Sequence, residues 1–198
     1  MTTILGLGGS LRAGSTTHLA LQVALAGVEA LGAQSQHLDL ATFRLPLFNG
    51  TYDLDGYAAA EQAAIVQLLE AVDRARGFIL ASPTYHNTIS GALKNALDIL
   101  EITHDDYPSR LRGKVVGLVS VQGGTSGTGN NTLTTMLLAA RGMGAWVAPT
   151  MVSIPGSREA FDEGGLPRNP AIHQRLQTLG MEVAQASAMF AAQPHWTT

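Results

Sequence analysis

Residues 4–17 read Ile-Leu-Gly-Leu-Gly-Gly-Ser-Leu-Arg-Ala-Gly-Ser-Thr-Thr. A short apolar run ends in a glycine pair. A loop of small and hydroxylated residues follows, with one arginine inside it. Beyond the loop, Leu19, Val23 and Ala26 fall on one helical stripe, and Leu21, Leu25 and Val28 widen it. A period near two thus gives way to a period near 3.6 across one glycine-rich turn, which is the signature of a strand–loop–helix unit.

The same alternation continues along the chain. Further strand-like runs occupy residues 36–40, 77–81, 115–121 and 145–148, after a first at 4–8. The run at 77–81 (GFILA) is apolar throughout, as expected of a parallel sheet covered on both faces. Between the runs, Ile65, Leu68, Leu69 and Val72 repeat at helical spacing. Helices are also predicted over 90–100 and 131–142. A long stripe joins Ile172, Leu176, Leu179, Val183, Ala186 and Phe190. Five strands alternating with five helices predict right-handed βαβ crossovers and an α/β three-layer sandwich. Five strands favour a flavodoxin-like parallel sheet in the order 2-1-3-4-5 over a six-stranded Rossmann sheet. No linker or repeat divides the chain, so residues 1–198 are read as a single domain. Two segments read as long loops, 41–56 and 153–169. The second contains Pro155, Gly156, Gly164, Gly165 and Pro167 and is expected to be mobile or functional.

Composition narrows the function classes. The chain has 198 residues and no cysteine, which excludes disulfides, thiolate metal sites and thiol catalysis. Hydrophobic residues make up 45% and charged residues 14%, consistent with much buried surface, inside a monomer or at a subunit interface. The formal net charge is −3 with no basic run, so no nucleic-acid partner is expected. No stretch approaches the roughly 20 apolar residues of a membrane-spanning helix, so no membrane partner is expected. The first residues lack a secretory pattern, and a cytoplasmic protein is expected.

The first loop, residues 8–17, opens a helix and is suited to an anion. Helix N-termini expose backbone N–H groups and carry positive potential. Ser10, Ser15, Thr16 and Thr17 add hydroxyl donors, and Arg12 adds a charged one. A dinucleotide fingerprint fails, because Leu11 stands where the third glycine must be. A Walker loop fails too, because Ser15 replaces the lysine that contacts the β and γ phosphates. What remains is a loop for a terminal monophosphate such as that of FMN. The competing reading is a plain strand–helix turn with a Ser/Thr cap.

In a doubly wound sheet, ligands bind beyond the carboxyl ends of the strands at the switch point. The third strand leads there into Ser82-Pro83-Thr84-Tyr85-His86-Asn87-Thr88. Pro83 keeps the backbone out of a helix, Tyr85 offers an aromatic face, and His86, Asn87 and Thr88 offer polar groups for a heterocycle. The fourth strand leads into Gln122-Gly123-Gly124, whose glycine pair permits close approach of a flat ligand.

GSLRAGSTT, SPTYHNTISGALKNALD and QGGTSG, in this order and spacing, resemble the FMN-contacting segments of the NADPH-dependent FMN reductase family. The resemblance spans roughly residues 1–150. It implies that Ser10, Arg12, Ser15 and Thr17 hold the flavin phosphate, although family members often carry asparagine at the position of Thr17. It implies that Pro83, Thr84, Tyr85, His86, Asn87 and Thr88 line the isoalloxazine and ribityl chain, and that Gln122, Gly123 and Gly124 approach the ring. It also implies a homodimer or homotetramer, with the helix carrying Leu93, Lys94, Leu97 and Asp98 at an interface.

The reaction so implied is hydride transfer from NADPH or NADH to the flavin, then electron delivery to a small acceptor: free FMN, a quinone, an azo compound or a metal ion. The cofactor carries that chemistry, so no catalytic side chain is assigned. His86 is read as a polar lining residue rather than an acid. His104, Asp105 and Asp106 are read as a polar loop rather than a metal site. Lys94 and Asp98 are spaced to pair on a helix. One of Arg110, Arg112 and Arg158 is a candidate reader of the NADPH 2′-phosphate. A flavodoxin-type electron carrier, or a flavin-binding sensor without NAD(P)H turnover, stands as the alternative. The mild net charge weighs against a carrier.

Overall fold

A computed structural model of the protein describes residues 2–102 and 109–192. Five parallel strands alternate with five helices: β1 (Thr3–Gly8), α1 (Thr16–Glu29), β2 (Gln34–Asp39), α2 (Ala59–Arg74), β3 (Gly77–Pro83), α3 (Gly91–Ile99), β4 (Val115–Val121), α4 (Gly129–Gly142), β5 (Trp146–Ile154) and α5 (Pro170–Ala191). The sheet order is β2-β1-β3-β4-β5, the flavodoxin-like order. β1 therefore sits between β2 and β3, and the crevice beyond the carboxyl ends of β1 and β3 is the switch point.

The period of two in the central strands divides the core. Leu5, Leu7, Phe78, Leu80, Val116 and Leu118 join side chains of α2, α3 and α4 on one face. Ile4, Ile79, Ala81, Val115, Val119 and Val121 join those of α1 and α5 on the other. Every residue of β3 and β4 is buried, whereas the edge strands β2 and β5 alternate in exposure. That is why the central strands read as apolar runs and the edges did not. On the second face α1 and α5 approach at glycines. A Cβ on Gly27 would strike the carbonyl of Gln177, and one on Gly180 that of Ala24.

β5 is longer than the expected 145–148. Val116 pairs with Val147 and Leu118 with Met151, so residues 148–150 bulge opposite one residue of β4. Pro149 lies in that bulge on an edge strand, where its missing N–H breaks no ladder. The bulge absorbs the proline, and pairing resumes to Ile154.

The loop expected over 153–169 begins after Ile154 and is tied down rather than free. Gly156 N–H donates to the Gly124 carbonyl (3.0 Å) and Ser157 N–H to that of Gln122 (2.9 Å). Phe161 is buried and bridges to Pro167, while Arg168 N–H donates to the Ala160 carbonyl (2.8 Å). The 41–56 loop is held by Asn95, whose side chain accepts from Phe48 N–H (2.8 Å) and donates to the Pro46 carbonyl (2.8 Å).

Candidate functional site

The first loop is shaped by hydroxyls that serve the backbone. Ser15 caps α1, its Oγ accepting from Thr17 N–H at 3.2 Å. Ser10 Oγ accepts from Arg12 N–H at 3.3 Å. Each oxygen acts as an acceptor, which leaves each O–H to donate elsewhere. Gly14 turns the loop at φ +64°, in the left-handed region that glycine enters without cost. Ser10, Ser15 and Thr17 are buried and Arg12 is exposed.

β3 delivers the second wall. Thr84 N–H donates to the Val121 carbonyl (2.8 Å), carrying the β3–β4 pairing one residue past the strand. Tyr85 and Thr88 then exchange both backbone hydrogen bonds (3.0 and 3.1 Å) around His86 and Asn87, whose φ angles are +49° and +66°. Two positive φ values in sequence mark a type I′ turn. It leaves Tyr85 53% exposed at the rim, with Ile89 buried behind it. Ser82 Oγ accepts from Ser90 N–H (3.0 Å), and Ser90 Oγ donates to the Gly9 carbonyl (2.6 Å), which locks the β3 loop onto the β1 loop.

These walls enclose a cavity of about 390 Å³ at the carboxyl ends of the strands. Of the residues expected at the site, Ser10, Arg12, Ser15, Thr16, Thr17, Pro83, Thr84, Tyr85 and Gly123 line it. His86, Asn87 and Thr88 lie on the exposed turn beyond Tyr85, outside the lining. Gln122 is buried beneath the cavity, with its Oε1 accepting from Thr128 Oγ1 (2.7 Å), and Gly124 is exposed outside it. Val121, Ser157 and Arg158 also line the cavity. Val121 closes β4 within an apolar run that carried no separate signal. Ser157 lay in the expected 153–169 loop without a role of its own, and Arg158 was read as a candidate for the NADPH 2′-phosphate rather than for this cavity, because the β5 carboxyl end was expected six residues too early.

Of the three arginines considered, only Arg158 reaches this cavity. Arg110 pairs with Asp73 (3.1 Å) and donates to the Leu100 and Ile102 carbonyls. Arg112 lines a different cavity with Gly113, Arg141 and Trp146, at the start of β4 and β5. Lys94 and Asp98 form the expected pair at 2.6 Å. His104, Asp105 and Asp106 lie outside the described residues. Among the described residues, no group of three or more His, Cys, Asp or Glu is placed to hold a metal ion, and no helix is long and apolar enough to cross a membrane.

Beneath the first loop, two histidines share the space over Gly8. His18 of α1 and His37 of β2 meet edge to face at 5.1 Å, and His18 Nε2 lies 3.7 Å from Asp39 Oδ1. Both Nε2 atoms are buried without a hydrogen-bond partner among the described residues. Burial, with the neighbouring charge of His18, holds the His37 imidazole below its usual 6.5 despite the opposing pull of Asp39.

The sequence profile of the NADPH-dependent FMN reductase family matches residues 2–159. The NADPH azoreductase of Bacillus sp. (strain OY1-2) is 36% identical over 141 residues, covering 71% of this chain and 72% of that protein. The NADPH-dependent FMN reductase ArsH of Shigella flexneri is 25% identical over 192 residues, covering 97% of this chain and 70% of that protein. Among solved structures, the flavoenzyme NAD(P)H:(acceptor) oxidoreductase FerB from Paracoccus denitrificans superposes with a TM-score of 0.77 at 17% identity, over 96% of this chain and 99% of its own. A flavodoxin from the domain Archaea superposes with a TM-score of 0.63 at 13% identity, over 95% and 99%. Those two structural likenesses establish the shared fold. With the profile spanning most of its length, the chain belongs to the NADPH-dependent FMN reductase family.

Proposed function

We propose that this protein binds FMN in the switch-point cavity, reduces it with NADPH or NADH, and passes the electrons to a small acceptor such as free FMN, a quinone, an azo compound or a metal ion. The observation that carries the reading is the cavity itself. Hydroxyls and an arginine gather at the N-terminus of α1, and an aromatic side chain stands at the opposite rim. The fit is chemical as well as spatial. Among the described residues no acidic side chain lines the cavity, and a Cβ on Gly123 would meet nothing within 4 Å, so a flat ligand can approach that backbone.

In this reading Ser10, Ser15, Thr16 and Thr17 donate to the phosphate oxygens and Arg12 neutralises part of their charge. Pro83, Thr84 and Tyr85 wall the ring, with His86, Asn87 and Thr88 on the outer turn. Gly123 and Gly124 present backbone to its edge, and Gln122 supports them from below. A bound flavin supplies two-electron acceptance from a nicotinamide and one- or two-electron delivery to an acceptor. The chain's residues orient the ring and leave the Tyr85 side open to a second reactant. A homodimer or homotetramer in the cytoplasm completes the proposal.

The deciding experiment follows NADPH oxidation by nicotinamide absorbance, with and without added FMN. FMN-dependent oxidation is expected. FMN binding without oxidation of either nucleotide would replace the enzyme reading with that of a carrier or sensor. Arg12→Ala is expected to weaken FMN binding by about 1.5–3 kcal/mol; unchanged affinity would remove the phosphate from this loop.

A further inference from the structure

The geometry points to Arg158 as a second guanidinium for the phosphate monoester of the flavin, acting with Arg12 to make the site select FMN over riboflavin. This inference rests on the flavin reading of the cavity.

Arg12 and Arg158 line the same cavity of about 390 Å³, from the loops that follow β1 and β5. No hydrogen bond or ion pair among the described residues engages either guanidinium. Two exposed like charges on the lining of one cavity, with no carboxylate beside them there among the described residues, raise a positive potential that an anion relieves. A phosphate monoester carries roughly −1.5 to −2 at neutral pH. One arginine and a helix N-terminus worth about half a charge offset about 1.5 of that. A second arginine covers the remainder of a fully ionised phosphate with charge to spare.

The backbone around Arg158 is preorganised. Ser157 N–H donates to the Gln122 carbonyl (2.9 Å), Glu159 N–H to that of Gly156 (3.0 Å), and Gly156 N–H to that of Gly124 (3.0 Å). The backbone of the segment is thus held against the β4 loop before any ligand arrives, and binding has only the exposed side chain left to order. The nucleotide 2′-phosphate is the other source of the same chemistry. The shared enclosure with Ser10 and Thr17 assigns Arg158 to the flavin.

The test measures dissociation constants of FMN and riboflavin by flavin fluorescence, for wild type, Arg158→Ala and Arg158→Lys. Arg158→Ala is expected to weaken FMN binding about tenfold or more and to leave riboflavin binding and the apoprotein's thermal midpoint unchanged. Arg158→Lys is expected to restore part of the loss. An unchanged FMN-to-riboflavin ratio in Arg158→Ala overturns the assignment. So does a rise in KM for NADPH but not NADH at constant FMN affinity, which moves the arginine to the nucleotide. Failure of the wild type to bind FMN overturns the flavin reading as well, and so separates the two failures.

Discussion

The hydroxyl of Ser90 donates to the carbonyl of Gly9 at 2.6 Å, joining residues 81 positions apart. The same oxygen accepts from Leu93 N–H at 3.2 Å and so caps α3. Gly9 is fitted to this contact, since a Cβ there would lie 2.8 Å from both Ser90 Oγ and Leu93 Cβ. One side chain therefore ties the β1 loop to the segment that carries the Pro83–Tyr85 wall.

Ser90→Ala is expected to destabilise the protein on two counts. Loss of an N-cap costs about 1 kcal/mol, and an unsatisfied buried carbonyl costs about 1–3 kcal/mol. A total loss of about 2–4 kcal/mol in urea denaturation is expected, with weaker FMN binding as the two loops separate. Loss of stability with FMN affinity intact would show that the bond does not set the cavity's shape.

Gly180→Ala sets two effects against each other. In the middle of a helix, alanine is favoured over glycine by about 1 kcal/mol. Here the new methyl would collide with the Ala24 carbonyl and lie 3.0 Å from Val28 N. Backbone atoms cannot swing aside, and overpacking costs about 1–3 kcal/mol. A net fall in the thermal midpoint is expected; a rise would mean that α1 and α5 slide apart at little cost.

Tyr85→Ala removes the exposed ring at the rim of the cavity. Quenching of flavin fluorescence on binding, or the affinity itself, is expected to fall. Stability should change little, because the side chain is half solvated and the Tyr85–Thr88 turn is made by backbone. No change in either flavin readout would take Tyr85 out of the ring site.

Acid stability should report on His37. Its folded pKa lies below 6.5, so the native state prefers the neutral imidazole. That preference is fully present above 6.5 and is lost as pH falls into the window below it, where the unfolded chain binds the proton more readily. His18 and Asp39 face the same ring and set the size of the effect. The thermal midpoint is expected to fall on acidification from about pH 6.5, and His37→Gln should flatten that component. An identical pH profile in the variant would exclude His37 as its source.

Much of this was legible in the residues because it is local. The strand runs in β1, β3 and β4 announce themselves by unbroken apolarity, since each is buried on both faces. The helices announce themselves by stripes such as Leu176, Leu179 and Val183, which lie fully buried against the sheet. The loop 8–17 needs only its own composition to read as an anion loop, because capping and N–H exposure act within a few residues.

Contacts distant in sequence decided the rest. The strand-like run was read to stop at 148, before Pro149, yet pairing with β4 carries β5 past that residue to Ile154. That extension brings Ser157 and Arg158 to the cavity, and bonds to Gln122 and Gly124 hold them there. His86 and Asn87 looked as suitable for a ligand as Thr84 did, but a turn of two positive φ angles leaves them outside the lining. Periodicity and loop chemistry act over a few residues, so the order of elements and the anion-suited composition of residues 8–17 were set by sequence alone. Which side chains share one enclosed space depends on strand register and loop anchoring across the crossovers, and only the folded chain brings those together.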